Sequence, residues 1–134
     1  MNSFLIRINQ NPLSQGRPRV TRWVTYDPNK DKKTWIKHQI SEQFAERLSC
    51  PISVELEFFM PIPKSASKKK QKEMSDQKII HTKKPDIDNL IKTYLDCMND
   101  LVYKDDSQIY SLSAYKYYSN DPRIEIEIRW KNIR

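Results

Sequence analysis

The sequence is poor in glycine, cysteine and histidine: its 134 residues include one glycine, two cysteines and two histidines. Cys50 and Cys97 are too few and too far apart for a disulfide framework, and they indicate ordinary thiols. His38 and His81 cannot supply the usual ligand set of a zinc hydrolase. No apolar run approaches the ~20 residues that span a bilayer, and the N-terminus lacks a basic segment followed by an apolar one. We therefore expect a cytoplasmic protein without a membrane partner, and a single domain over residues 1–134.

Charge is distributed unevenly along the chain. The formal net charge is +7, yet residues 86–106 hold six aspartates against two lysines, which gives this segment −4 and the remainder +11. A basic surface with one acidic island suits an enzyme that binds a polyanion and also holds a divalent cation at the scissile phosphate. Carboxylates repel nucleic acid unless a cation lies between them, so the acidic segment is where we predict chemistry.

The acidic segment has the pattern of an amphipathic helix. Asp88, Lys92 and Asp96 follow one another at four-residue spacing, so they can act together on one flank of that helix. Asp86 and Asp88 lie on nearly opposite sides of an ideal helix, so they share a ligand only if Asp86 precedes the helix in non-helical backbone. Pro85 favours such a start. The apolar stripe beside the flank, at spacings of three and four, consists of Ile87, Leu90, Ile91, Tyr94, Leu95, Met98 and Leu101.

A plainer interpretation of the same acids stays open. Asp86 and Asp88 could cap the helix, Lys92 could pair with a neighbouring acid, and Asp105 with Asp106 could form a solvated turn. The ensemble favours chemistry, because the second acidic pair precedes a predicted strand and could converge with the first pair once that strand packs beside the helix. An EF-hand is excluded, since the loop lacks the required glycine and final glutamate.

Alternating and helical apolar patterns predict the rest of the fold. We predict an antiparallel hairpin between the last two strands, because a short turn at 120–122 joins them. The whole implies an α/β (α+β) fold in which a small mixed sheet carries helices on one face, in the order β-α-β-α-β-β. The predicted elements are strands at 4–8, 52–60, 107–118 and 123–130, helices at 29–48 and after Pro85, a long loop at 9–29, and a basic linker at about 61–84.

The chain has two basic segments, one before the predicted helix at 29–48 and one after the predicted strand at 52–60. Residues 64–84 contain eight lysines against two acids, which predicts a phosphate-binding segment, although a lysine run is often only solvated surface. In the second segment, Arg17, Arg19 and Arg22 accompany Trp23 and Tyr26, a mixture that suits phosphate binding with stacking on exposed bases. The alternative there is a basic loop whose aromatic residues fold back on the core.

The string K-P-D-I-D-N-L-I-K from Lys84, followed by Asp96 and then D-D-S-Q, closely resembles the signature of the RusA family of Holliday junction resolvases, in particular its phage and prophage branch. Two weaker resemblances support it: G-R-P-R at 16–19 with a following Tyr26, and P-K-S-x-S-K-K-K at 63–70. The resemblance covers most of residues 12–108. It implies a homodimeric Mg²⁺-dependent endonuclease, in which Mn²⁺ can substitute, that resolves four-way DNA junctions by paired nicks in DNA recombination and repair.

The resemblance also implies roles for individual residues. Asp86, Asp88 and Asp106 match the family's catalytic, metal-binding carboxylates, with Asp105 as the alternative third acid, and Lys92 matches its functional lysine. Two competing functions remain: a protein that binds branched or single-stranded DNA without cutting it, and an RNA-binding module, for which no aromatic sheet signature is visible. The predicted DNA-binding residues are Arg17, Arg19, Arg22, Lys68, Lys69, Lys70, Lys72, Lys83 and Lys84.

Overall fold

The computed structural model describes residues 1–14, 19–20, 25–26 and 30–131 of the chain. Within these ranges the chain forms strands, α-helices and one short 3₁₀ helix at Asp106–Gln108. The bounds in chain order are β1 Asn2–Ile8, β2 Arg19–Val20, β3 Thr25–Tyr26, α1 Lys30–Gln43, β4 Ile52–Pro61, α2 Lys68–Ser75, α3 Ile87–Met98, β5 Ile109–Ser119 and β6 Arg123–Trp130.

The main sheet has four strands in the order β1-β6-β4-β5. β4 and β5 run parallel, whereas the other neighbouring strands are antiparallel, so the predicted mixed sheet is confirmed. β2 and β3 pair as a separate two-stranded ribbon. That ribbon lies inside the segment predicted as a loop.

Alternation along the strands separates an apolar face from a polar one. In β4 and β6 every second side chain is buried, and the residues between them are only partly buried. On the polar face Glu55 lies opposite Glu127, and Glu57 lies opposite Glu125. The apolar face carries the core against α1 and α3, so the helices pack on one face as predicted. That core includes Ile6, Ile8, Ile36, Ile40, Val54, Leu56, Phe58, Leu90, Tyr94, Met98, Ile124, Ile126 and Ile128.

The predicted antiparallel hairpin between the last two strands is wrong. β4 lies between β5 and β6, and the turn at 120–122 crosses two strand spacings, about 10 Å. The reason lies in the side chains: β4 and β6 have one fully buried face and take central positions, whereas β5 has four consecutive exposed residues and lies at the edge. The length of the turn alone does not show which strands are central in the sheet.

One helix boundary differs from the prediction, and one helix was not predicted. α1 ends at Gln43 rather than near residue 48, because the backbone N–H of Leu48 donates to Val102 O at 2.8 Å and the N–H of Lys104 donates back to Leu48 O. The basic linker contains an additional helix, α2. Ser67 caps the N-terminus of α2, because its side-chain oxygen accepts from the Lys70 N–H at 3.3 Å. Among the described residues, no helix is long and apolar enough to cross a bilayer.

Candidate active site

The acidic motif lies where the chain turns into α3. Asp86 is the residue before the helix and has extended backbone, with φ −67° and ψ 144°, as the sequence predicted. Its carboxylate makes no capping hydrogen bond to α3 and instead contacts Lys84 Nζ at 3.2 Å, with about half of the side chain exposed. Asp86 is therefore not a helix cap by side chain, and its oxygens face the outside of the turn.

Lys116 of β5 holds this turn against the sheet. Its Nζ donates to Lys83 O and to Pro85 O, both at 2.8 Å. Burial lowers the pKa of Lys116, and the negative charge of Asp86 opposes that shift. The backbone on both sides of Lys84 is thus attached to one ammonium group, and Asp86 follows directly after the second attachment.

Asp88 and Lys92 lie one turn apart on the exposed flank of α3. Neither side chain has a hydrogen-bond or ion-pair partner among the residues that the structure describes. The ion pair of Lys92 with a neighbouring acid, which the plainer interpretation expected, is therefore not formed within these residues. Both side chains are therefore available to an outside ligand.

Asp86 and Asp88 open onto a groove of about 760 Å³. One wall is the stretch 114–117 of β5, and the opposite wall is the segment between α2 and α3. The groove mixes charged groups with the exposed apolar side chains of Ile80 and Ile87. His81 also lines it, with its ring 4.7 Å from that of Tyr118, and burial followed by the charge of Lys116 lowers its pKa.

The second acidic pair divides into two roles. Asp105 caps the 3₁₀ helix: its Oδ2 accepts from the Ser107 N–H at 3.1 Å, and Gln108 Oε1 accepts from the Asp105 N–H at 2.9 Å. Hydrogen bonds from the Ser107 side chain and then from its backbone N–H lower the pKa of Asp105. The Asp106 carboxylate has no hydrogen-bond or ion-pair partner in the described part of the chain. Asp105 is therefore a capping residue, and Asp106 has the free carboxylate of the pair.

Asp106 lies near the far end of α3 from Asp86. Burial raises the pKa of Tyr103, and the charges of Asp106 and Asp96 raise it further. Tyr103 forms a β-bridge with Asn99, the C-cap of α3, and its hydroxyl donates to Leu95 O at 2.8 Å, so Tyr103 lies at the C-terminal end of the helix and Asp106 follows it by three residues. Leu95 stands ~13 Å of helix rise beyond Asp86. In agreement, the described residues contain no group of three acidic, histidine or cysteine side chains that could hold a metal ion.

The predicted DNA-binding lysines are all exposed. Four of them lie on α2, which buries no residue, and Lys83 and Lys84 lie beside the groove and the Asp86 turn. Arg17 and Arg22 lie outside the described residues, and for Arg19 only the backbone is described, in β2. Lys83 lines the groove and Lys84 contacts Asp86, so a polyanion that entered the groove would meet positive charge beside the carboxylates.

Sequence reasoning missed Lys116 and the groove. A signal for Lys116 existed: it occupies the same alternating face of β5 as Ala114 and Tyr118, where a charged residue is unusual unless it has a partner. The groove had no such signal, because its two walls come from segments far apart in the chain.

A basic α+β chain with free carboxylates beside a groove has the charge pattern expected of an enzyme that acts on nucleic acid. A family model described as endodeoxyribonuclease RusA matches residues 9–129. The chain is 36% identical to the protein YqaN of Bacillus subtilis strain 168, an alignment that covers 96% of this chain and 97% of YqaN. Over 48 residues it is 52% identical to the crossover junction endodeoxyribonuclease RusA of Lactococcus phage r1t, which covers 35% of this chain and 37% of the phage protein.

The chain therefore belongs to the RusA endodeoxyribonuclease family. This family consists of endonucleases that resolve Holliday junctions, and its nucleases depend on divalent metals. The enzyme class is crossover junction endodeoxyribonuclease, a hydrolase that acts on phosphodiester bonds.

Proposed function

We propose that residues 1–134 act as a single RusA-like domain that cuts four-way DNA junctions by paired symmetric nicks, with Mg²⁺ as cofactor and Mn²⁺ as a substitute, in recombination and repair. The observation that carries the proposal is the pair of carboxylates at Asp86 and Asp88, which open onto a groove and lie among exposed lysines in a chain of +7 net charge. Phosphate contacts from the lysines would bind junction DNA of any sequence.

A divalent cation supplies stabilisation of negative charge on phosphate oxygens and a more acidic water, and carboxylates suit Mg²⁺ and Mn²⁺. Asp86 and Asp88 fit such a cation as two ligands, because both are exposed and Asp88 is unpaired. Lys92, one turn after Asp88, is the candidate to bind a phosphate oxygen as charge develops there. Asp106 is the free acid for a third ligand, but it lies near the other end of α3.

We infer that Asp106 completes the site from a second copy of the chain. A homodimer with two-fold symmetry would then carry two equivalent sites, one for each strand to be cut. Each site would combine Asp86, Asp88 and Lys92 of one copy with Asp106 of the other. The helix length between Asp86 and the Tyr103 end of α3 supports this arrangement over one confined to a single chain.

The experiment is complementation between two inactive variants on a labelled four-way junction in Mg²⁺. Asp86→Asn and Asp106→Asn should each fail to cut, while both still bind the junction, because charge removal weakens metal binding but not phosphate attraction. A refolded mixture should regain nicking, since the mixed dimer holds one site with both acids intact. Asp86→Asn mixed with Asp88→Asn is the matched control and should stay inactive, because each mixed site lacks one acid. Restored nicking in the control, or none in the test mixture, contradicts the shared site.

One observation favours the second candidate function, a protein that binds branched or single-stranded DNA without cutting it. Asp105 is a cap, as that interpretation requires. Calorimetric titration of the purified protein with Mn²⁺ separates the two. Binding that disappears in Asp88→Asn supports the nuclease, whereas heat changes at dilution level in both proteins support the binding protein.

A further inference from the structure

A row of aromatic side chains on the sheet ends at the groove beside Asp86. Arg123 lies over the ring of Phe59, with its guanidinium carbon 3.7 Å from the ring centroid. The Phe59 ring is 5.4 Å from that of Tyr117, and the Tyr117 ring stacks on Tyr115 at 6.0 Å and 13°. Among the described residues no ring continues the row beyond Tyr115, which is 44% exposed. The row therefore has one open end, and that end lines the groove.

The groove also has apolar surface on the wall opposite Tyr115. Ile80 is 70% exposed there, and Ile87 is 38% exposed, although both are aliphatic residues. Exposed apolar surface in a concave place is typical of a ligand site, and pockets for small organic ligands measure ~300–1,000 Å³. The groove, at about 760 Å³, lies within that range. A flat ligand suits these walls, because one face can stack on Tyr115 while the rest contacts the isoleucines.

His81 is a polar residue of this groove that lacks a partner. It is 8% exposed, and its enclosed Nδ1 has no hydrogen-bond partner within the described residues. Its pKa is lowered by burial and then by the charge of Lys116, so the ring is neutral at pH 7 and offers one donor and one acceptor. His81 lines both the groove and a second cavity of about 360 Å³, so the ring has room to turn toward a ligand. Because a buried polar group without a partner is costly, a ligand with a polar edge would be stabilised here.

We propose that the groove binds one unpaired nucleobase of the DNA strand, next to the phosphate held at Asp86 and Asp88. The inference rests on the proposed function, which places the scissile phosphate at those carboxylates. A nucleobase has two flat faces and a hydrogen-bonding edge, so it stacks on Tyr115 and presents its edge to His81. Lys83, which also lines the groove, contacts a phosphate of the same strand.

Branched DNA supplies such a base more readily than continuous duplex does. A base can enter the groove only after it leaves the stack, and extrusion costs least for a base that is mismatched or already unpaired. Bases at the centre of a four-way junction lack a continuous stack. The occupant is a base within a strand rather than a free nucleotide, because the basic chain attracts a polyanion. The groove thus favours branched DNA through a contact with a base, in addition to the contacts with phosphate.

The first test is a thermodynamic cycle between one base of the junction and Tyr115. Junctions that each lack one base near the branch point are titrated with wild type and with Tyr115→Ala, without divalent metal so that no strand is cut. At one position relative to the cut, base removal should weaken binding to wild type by about 5-fold to 100-fold, the range for one base on an aromatic ring. In Tyr115→Ala the same removal should change nothing further.

Tyr110→Ala is the matched control for this cycle. Tyr110 is exposed on the same strand but does not line the groove, so the effects of its loss and of base removal should multiply. Circular dichroism checks that each variant is folded. If no position is sensitive, or if Tyr115→Ala behaves as Tyr110→Ala does, the groove holds no base and the proposal is overturned.

The second test concerns His81. His81→Phe keeps a ring against Tyr118 and removes both ring nitrogens. With each of the four bases at the sensitive position, the affinities of wild type should differ by about 5-fold or more, and His81→Phe should level them. His38→Phe, at an exposed position on α1, is the control and should keep the wild-type order. Equal affinities in wild type, or an unchanged order in His81→Phe, overturn the role of His81 in reading the base.

The two proposals fail in different ways. A protein that shows coupling between the base and Tyr115 but cuts no junction in Mg²⁺ retains the groove and refutes the nuclease. A protein that cuts the junction without that coupling does the reverse.

Discussion

Replacing Lys116 by methionine should slow junction cleavage without unfolding the protein. Methionine keeps the unbranched, apolar part of the side chain, which lies on the helix side of β5, and removes the ammonium that donates to Lys83 O and Pro85 O. The peptide carbonyls that it leaves belong to an exposed turn, so water can replace the lost donor. The direct damage is therefore to the position of the turn that precedes Asp86.

The size of the effect follows from the two hydrogen bonds. A hydrogen bond from a charged donor contributes ~1.5–3 kcal/mol, and the lower end applies where the acceptors are solvent-accessible. Loss of both hydrogen bonds would lower the free energy that holds the turn in place by ~3 kcal/mol. Misplacement of a reacting group by ~1 Å costs on the order of 100-fold in rate. We expect cleavage to fall between ~10-fold and ~100-fold, which corresponds to about 1.4–2.7 kcal/mol in the activation free energy.

The assay is single-turnover cleavage of a labelled junction at saturating enzyme, repeated over a range of Mg²⁺ concentrations. Because Asp86 is a proposed metal ligand, the concentration of Mg²⁺ for half-maximal rate should rise in Lys116→Met. Lys116→Arg should recover part of the rate, since a guanidinium can donate to two carbonyls. Lys37→Met is the control, an equally conservative change at an exposed position on α1.

A merely structural role for Lys116 would give a different pattern. Lys116→Met would then lower the melting temperature while its rate and its Mg²⁺ requirement matched those of Lys37→Met. That outcome would refute the reasoning that the ammonium positions Asp86.

Three further predictions follow from individual contacts. Asp106→Asn should abolish cleavage, whereas Asp105→Asn should stay active in the same nicking assay because an amide oxygen can accept the Ser107 hydrogen bond; the reverse pattern would move the third ligand to Asp105. The pKa of Glu57 is raised by burial and then by the charges of Glu125 and Glu55. Folding therefore favours the protonated form of Glu57, and the free energy of unfolding should fall as the pH rises above 4.5. Glu57→Gln should therefore gain ~0.2–1 kcal/mol at pH 7 in urea unfolding, and no gain relative to Glu46→Gln contradicts this. Alanine at all four lysines of α2 should make the plot of log affinity against log salt shallower by up to ~0.9 per lost contact, while cleavage at saturating enzyme survives. Lys92→Ala should leave the salt slope nearly unchanged and greatly lower the cleavage rate.

Local rules of sequence predicted the first half of the site. Helical spacing and Pro85 were enough to place Asp88 and Lys92 on one flank of α3 and to put Asp86 outside it in extended backbone. These features depend on a few neighbouring residues, because helix periodicity and proline geometry act over one or two turns. The capping role of Asp105 was not predicted, although it is also local: the D-D-S-Q string contains both Asp105 and its reciprocal partner Gln108.

The order of strands in the sheet was beyond local rules. Clean alternation predicted β4 and β6 as strands with one buried face, but two strands joined by three residues can be neighbours or can lie on either side of a third. The choice depends on which strand has enough apolar surface on its faces to be central. β5 has serines at 111 and 113 and tyrosines around them, so it stays at the edge. That comparison requires all strands at once.

The same non-local fact changes the meaning of the acidic motif. In the sequence the two acidic pairs flank one helix and invite a single cluster, but a helix is a rigid spacer: the length that lies between Asp86 and the Asp106 end of α3 cannot be closed by side chains. In the proposed function a second copy of the chain supplies the opposite end. Two-fold symmetry would then form the site twice, once for each strand that is cut, so the same spacer that prevents a site within one chain would pair the two nicks.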